Sequence, residues 1–225
     1  MIKYNIDEDY FKIIDTEDKA YFLGFIYADG CICKASKKQY TFALKLAEQD
    51  KYILDTFKHY LKSNSIIIKT LRNDGQNQFR LSVYNQTFIK NLMNQGVNEK
   101  KTFNCIFPKN ISCHLIHHFM RGYFDGDGSI LVKKPCFSVI GTKEFICAYK
   151  DILLERCVDL MPKFTITEKP DTYYIISKKG VYNTISIRDF LYKDATIYLQ
   201  RKYDRFFSLL PKRNKYQFNF NSTSY

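Results

Sequence analysis

The stretch YFLGFIYADG, Tyr21 to Gly30, governs the reading of the whole chain. Mostly apolar residues run up to Ala28 and then stop at a carboxylate, Asp29, and a glycine. A helix that is apolar around its circumference belongs in an interior, whereas an ionised carboxylate is costly there unless it is paired or holds a cation. The same pattern recurs as FMRGYFDGDG, Phe119 to Gly128, so that LGFIYADG and RGYFDGDG both end in a small residue, Asp and Gly. Such internal similarity points to two copies of one structural unit.

The segments after the two copies are also alike. After Gly30 come a short strand, CICKAS, and an alternating one, QYTFALKL. In the latter Tyr40, Phe42, Leu44 and Leu46 share one face, and Gln39, Thr41, Ala43 and Lys45 the other. EQDKYILDTFKHYLK reads as an amphipathic helix, SIIIKTLR and QFRLSVY as a hairpin around Asn73-Asp74-Gly75, and NQTFIKNLMNQG as a helix closed by Gly96. The second half repeats the order: a helix from about Cys113 to Asp125, strands ILVKK and CFSVI, helix TKEFICAYKDILLERC, strands KFTITE and TYYIIS, then helices TISIRDFLY and DATIYLQRKYDRFFSLL. Thr142 and Asp194 are the expected N-caps of two of these. The predicted fold is α+β, with two αββαββα units over residues 1–96 and 113–210, a linker over 97–112 and an irregular tail over 211–225.

Gly24 and Ala28 in one copy, and Gly122 and Gly126 in the other, place small residues four apart, which lets a second backbone approach closely. If the two helices pack through these grooves, their C-terminal ends emerge side by side. Asp29 and Asp127 then face one another, and like charges that close favour a cation between them. The helix ends, at Ala28 and Gly126, add carbonyl oxygens and partial negative charge, and an all-oxygen donor set suits Mg²⁺. A divalent cation beside a basic surface suits phosphodiester hydrolysis. Asp-Gly after a helix is also an ordinary turn; its recurrence at matching places in two matching units sets this pair apart.

These two segments resemble the paired motifs of the LAGLIDADG homing endonucleases in their single-chain form. On the nine-letter motif, Phe22 to Gly30 reads FLGFIYADG and Met120 to Gly128 reads MRGYFDGDG. Tyr27 replaces the earlier acidic position that Asp125 keeps, and Arg121 stands where a small residue is usual. The resemblance implies a saddle of two four-stranded antiparallel sheets lying along the major groove of duplex DNA. It implies Mg²⁺ held by Asp29 and Asp127 over the minor groove, and a staggered double-strand cut leaving 3′ overhangs. It also implies a basic residue near the site in each half, which matches Lys101 of EKKTF and Lys202 of LQRKYDRF.

Polar strand faces supply the expected DNA contacts: Lys34, Gln39, Thr41, Lys45, Arg72, Gln78, Arg80 and Ser82 in the first half. The second half offers Lys133, Lys134, Ser138, Lys163, Thr165, Thr167 and Lys178. Arg and Gln can reach guanine and adenine edges, while Lys mostly meets phosphate. The diverged faces predict one monomer on a long asymmetric site.

Composition agrees. Lys and Arg outnumber Asp and Glu 35 to 23, a net charge of +12 that favours a polyanionic partner. Hydrophobic residues make up 45% of the chain, which excludes a disordered polymer. Seven cysteines without a CxxC pair read as reduced thiols in a cytosol-like compartment. The HLIHH run, His114 to His118, reads as packing and surface histidines. The start at Met and the end at NSTSY lack an export signal and the terminal residues of an intein. The rival expectations are an RNA maturase bound to intron RNA and a non-catalytic DNA-binding protein on the same scaffold.

Overall fold

The computed structural model describes residues 5–36, 39–72, 74–99, 104–170 and 173–210. The tail expected over 211–225 lies outside the described residues. The first unit runs α1 (Glu17–Asp29), β1 (Cys31–Ser36), β2 (Gln39–Ala47), α2 (Lys51–Tyr60), β3 (Ile68–Leu71), β4 (Asn77–Val83) and α3 (Gln86–Asn94). The second runs α4 (Ile116–Asp127), β5 (Gly128–Leu131), β6 (Cys136–Gly141), α5 (Lys143–Arg156), β7 (Thr165–Lys169), β8 (Tyr173–Lys179), α6 (Val181–Leu191) and α7 (Gln200–Phe207). Each unit forms a four-stranded antiparallel sheet, in the orders β1-β2-β4-β3 and β5-β6-β8-β7. The expected α+β class and twofold repeat are what the chain adopts.

One face of each sheet is covered by helices. Phe42 on β2 packs against Phe57 of α2 and Phe88 of α3, and Phe137 on β6 packs against Tyr149 of α5 and Phe206 of α7. Alternation along the strands leaves the opposite face to mostly polar or short side chains, with Ile68, Ile140 and Ile175 among them.

The units join through α1 and α4. Ala20 to Tyr27 are all buried in α1, and Ile116 to Asp125 in α4. The two backbones touch: a Cβ on Gly24 would fall on the Phe119 carbonyl, one on Gly122 on the Tyr21 carbonyl, and one on Gly126 on the Ala28 methyl. The small residues read from the sequence thus form the contact itself.

Arg121 sits beside this seam, fully buried. Its guanidinium donates to Glu17 of α1 (2.7 Å), to the carbonyls of Leu191 and Ile197 (3.0 Å each) and to His118 Nδ1 (2.8 Å). The Glu17 carboxylate in turn accepts from the Thr196 amide (2.7 Å) and hydroxyl (2.8 Å) and from the Ile197 amide (3.3 Å). A large residue at this motif position is therefore accommodated as a buried anchor for residues 191–197.

Three local expectations are corrected. The helix predicted from Asp194 to Leu210 spans only Gln200–Phe207, and Asp194 has a positive φ of 52° and is no N-cap. The amides of Thr196, Ile197 and Leu199 are taken by the carboxylates of Glu17 and Asp125, which leaves them unavailable for a helix. Strand β5 spans Gly128–Leu131, so Val132 to Lys134 belong to the hairpin turn. The second motif helix starts at Ile116, after Cys113. Thr142 does cap α5, its hydroxyl accepting from the Phe145 amide at 3.3 Å.

Gly122→Ala is expected to cost more than about 3 kcal/mol, because the added methyl meets backbone that cannot move aside. A urea unfolding midpoint that moves by less than about 1 kcal/mol would contradict the close seam. Burial and the Arg121 charge push the His118 pKa down from 6.5 to about 4. The folded value lies below the ordinary one, so this contribution to stability is complete above pH 6.5 and is lost as the pH falls toward 4. The slope of unfolding free energy against pH over that window should flatten by roughly one proton in His118→Gln; an unchanged slope would exclude His118 as its source.

Candidate active site

Each motif helix runs straight into a strand. Gly30 has φ −69° and ψ 151°, and Gly128 has φ −94° and ψ 162°, both extended backbone, so neither ends its helix by a left-handed turn. The glycines are required by crowding: a Cβ on Gly30 would lie 2.7 Å from Ile26 Cγ2, and one on Gly128 would fall on the Phe124 ring. Asp29 and Asp127 occupy the corners between helix and strand, the first positions beyond the packed seam.

The seam brings these corners together. The Cβ direction of Gly126 points to Asp29 Oδ2 at 3.1 Å, so the first unit's carboxylate lies against the backbone one residue before Asp127. Asp29 is exposed and Asp127 half-buried. Ala28 and Gly126, the residues that precede them, are half-buried at the same corner.

Lys202, from α7, lies beneath the second corner. Its ammonium donates to the carbonyls of Phe124 (2.7 Å), Gly126 (3.1 Å) and Gly128 (2.7 Å), closing the α4 terminus as a cationic cap. Burial lowers its pKa to about 8, against the opposing pull of the Asp125, Asp29 and Asp127 carboxylates. The expected basic residue of the second half is thus at the site, engaged with backbone. Its counterpart Lys101 lies outside the described residues.

Asp125, at the earlier acidic motif position, faces inward and is fully buried. It accepts from the Leu199 amide (2.7 Å) and from the hydroxyls of Tyr21 (2.9 Å) and Tyr192 (3.2 Å). Burial raises its pKa, while the Lys202 charge and these donors oppose the rise. In the first unit Tyr27 holds the corresponding place and donates to the Gln95 carbonyl at 2.5 Å. Asp125 and Glu17 therefore fix the segment that carries Lys202. Sequence reasoning missed both roles; for Asp125 a carboxylate inside a buried helix was the available signal, while Glu17 stands at the ordinary acidic first turn of α1.

The uncovered sheet faces extend from the two corners. In the first unit Cys31, Ala43 and Ser82 form one row across β1, β2 and β4. Lys45, Arg80 and Ile68 form the next, and Ala47, Gln78 and Thr70 a third. Thr41 lies opposite Cys33. Thr41, Lys45, Gln78, Arg80 and Ser82 thus share one face, and the Arg80 Nε donates to Ser82 Oγ at 2.8 Å. Gln39 is exposed at the edge; Lys34 is exposed 3.9 Å from Glu99, and Arg72 sits in the hairpin turn 3.6 Å from Asp74.

In the second unit Ser129, Ser138, Ser177 and Thr165 align across all four strands, and Thr167 comes next on β7. Lys133, Lys134 and Lys163 are exposed in the adjoining loops. Lys178 departs from expectation. It pairs with Phe137 on the covered face, is 3% exposed, and donates to the carbonyls of Met161 and Lys163. The paired register puts its side chain opposite to Ser177, away from any ligand on the open face. His117 and His118 are buried with ring centroids 3.9 Å apart, and His114 is exposed. No helix among the described residues is long and apolar enough to cross a membrane.

Residues 16–95 match a family model described as the LAGLIDADG-like domain. A search of curated proteins returns no match to the sequence. Among solved structures, the LAGLIDADG meganuclease I-AabMI bound to uncleaved DNA superposes with a TM-score of 0.57 at 14% identity, covering 86% of this chain and 90% of that one. I-SmaMI bound to an uncleaved DNA target with calcium ions gives 0.55 at 10% identity, covering 87% and 90%. The I-SmaMI LAGLIDADG homing endonuclease bound to cleaved DNA gives 0.56 at 12% identity, covering 87% and 88%. The first unit is therefore a LAGLIDADG-like domain, and the whole chain carries the two-unit fold of the LAGLIDADG homing endonucleases.

Proposed function

We propose that the protein is a site-specific endonuclease of double-stranded DNA that acts as a monomer with Mg²⁺, cutting across the minor groove and leaving 3′ overhangs. The observation that carries this reading is the pair of carboxylates, Asp29 and Asp127, held at one seam between two open sheet faces. The +12 net charge and the solved DNA complexes of the same fold support a duplex as the ligand.

Asp29, Asp127 and the carbonyl oxygens of Ala28 and Gly126 would hold the metal. The residues fit: every donor is a hard oxygen, and both carboxylates stand at helix C-termini whose partial charge is negative. The Gly126 carbonyl accepts from Lys202, and its second lone pair remains for a cation. Bound Mg²⁺ would lower the pKa of a water and stabilise the departing oxygen. The protein's own residues supply the rest. The α1–α4 seam sets the spacing of the carboxylates, and Lys202 holds the α4 terminus so that Asp127 keeps its direction. The open faces grip a long duplex whose two halves differ, as the faces do. Lys101 is the residue assigned the corresponding task in the first unit.

Asp29→Asn or Asp127→Asn should abolish double-strand cleavage and leave duplex affinity within about threefold, since each removes a metal-ligand charge and little groove contact. Full cleavage by either variant, or by the wild type in excess chelator, would end the two-carboxylate reading. Lys202→Met should slow cleavage by about 10- to 100-fold, the usual cost of losing a group that orients a metal ligand, with little change in the dissociation constant for DNA. Equal losses in affinity and rate would assign Lys202 to DNA binding. Comparing the affinity for a structured intron RNA with that for duplex DNA at one salt concentration separates the endonuclease from a maturase.

A further inference from the structure

The rows that flank the two aspartates differ in chemistry. Beside the first corner, Lys45, Arg80 and Ile68 stand in register across β2, β4 and β3. The corresponding row beside the second corner is Ile140, Ile175 and Thr167 across β6, β8 and β7. The rows correspond because each lies next to the one that contains the residue two past the aspartate, Cys31 with Ala43 and Ser82, or Ser129 with Ser138 and Ser177. Ile140 and Ile175 are partly exposed and lie outside the set of side chains that pack against the core. They alternate with Val139 and Ile176, which fill the covered face.

The row of Ile140, Ile175 and Thr167 has no side chain with the reach or the donor pattern of Arg80. On one side of that row lie the four hydroxyls of Ser129, Ser138, Ser177 and Thr165, with Leu131, Cys136 and Lys179 beyond them, and on the other side Tyr173 pairs with Lys169; serine or threonine hydroxyls discriminate poorly between bases. Lys133, Lys134, Lys163 and Lys179 are exposed around the same face, where they complement phosphate charge. The apolar feature that a major groove offers is the 5-methyl group of thymine.

We propose that Ile140 and Ile175, with the Thr167 methyl, read thymine methyl groups, so that the half-site beneath the second sheet is specified by thymines close to the cut. Arg80, Lys45 and Gln78 specify the other half by hydrogen bonds to purine edges. This inference rests on the endonuclease reading above and adds the chemistry by which the two halves of its target differ.

The test is selection by cleavage, with Mg²⁺, from a randomised duplex library made either with thymine or with uracil in its place. Uracil keeps every hydrogen-bonding group and lacks only the methyl. Repeating the selection with Arg80→Ala marks the half-site of the first unit, because only that half should change. The thymine library should return thymines at neighbouring positions in the other half. In the uracil library cleavage of those sequences should fall about fourfold per methyl lost, with the purine preferences of the first half intact. Ile175→Ala, on the open face, should keep the wild-type unfolding midpoint and lose the thymine preference at one base pair. A preference that survives uracil unchanged, or a second half-site without thymine, would overturn the inference while leaving the endonuclease standing. Absence of cutting in both libraries would remove the endonuclease reading and this one with it.

Discussion

The contact on which the rest of the molecule depends is backbone against backbone, where Gly24 of α1 meets Phe119 and Gly122 of α4 meets Tyr21. Two helices that approach this closely have no room for side chains between them, so their remaining apolar residues must pack outward into the two units. That requirement explains why the motif helices are buried along nearly their whole length and why the first carboxylates beyond the buried stretches are Asp29 and Asp127. The spacing of the carboxylates is set by main-chain contact, which deforms far less than side-chain packing. A site that must hold two like charges near each other benefits from such a frame.

Around the seam the molecule buries an unusual amount of charge. Glu17, Arg121, Asp125 and Lys202 lie within it or at its edge, and each is satisfied by partners of opposite charge or by backbone groups. Replacing a buried ion pair by apolar residues is often neutral or favourable for stability, so the network is better understood by what it places. Glu17 and Asp125 take the amides of residues 196 to 199, Arg121 takes the carbonyls of Leu191 and Ile197, and α7 then starts where Lys202 falls under the α4 terminus. Asp50 of the first unit also meets Arg201 at 3.1 Å, which ties the same helix to both units. The large residue that the second motif carries at Arg121 is absorbed by this arrangement.

The repeat is symmetric in backbone and asymmetric in surface. Both sheets share one strand order, yet the row beside Asp29 carries Lys45 and Arg80 while the row beside Asp127 carries Ile140 and Ile175. One scaffold can therefore keep a twofold-related pair of carboxylates and present two unlike faces to its ligand.

Much of this was legible in the residues alone. The recurrence of apolar helix, Asp and Gly, with period-two alternation after it, determined two units, their class and the residues that meet at the seam, because these patterns arise from local geometry and burial. The paired aspartates and the strand residues Arg80, Gln78 and Thr41 were legible for the same reason. What only the tertiary structure decided depends on contacts between segments distant in sequence. Lys178 falls on the polar parity that the KFTITE and TYYIIS strands suggest only if the register is guessed, and the observed pairing with Phe137 turns it inward. The segment after Asp194 has helical composition, but carboxylates far away in sequence, on α1 and α4, claim its amides. Lys202 was identifiable as a basic residue at the site, whereas its engagement with three carbonyls of α4 depends on that same claim, since hydrogen-bond partners are assigned by proximity in the fold and leave no periodic trace in the chain.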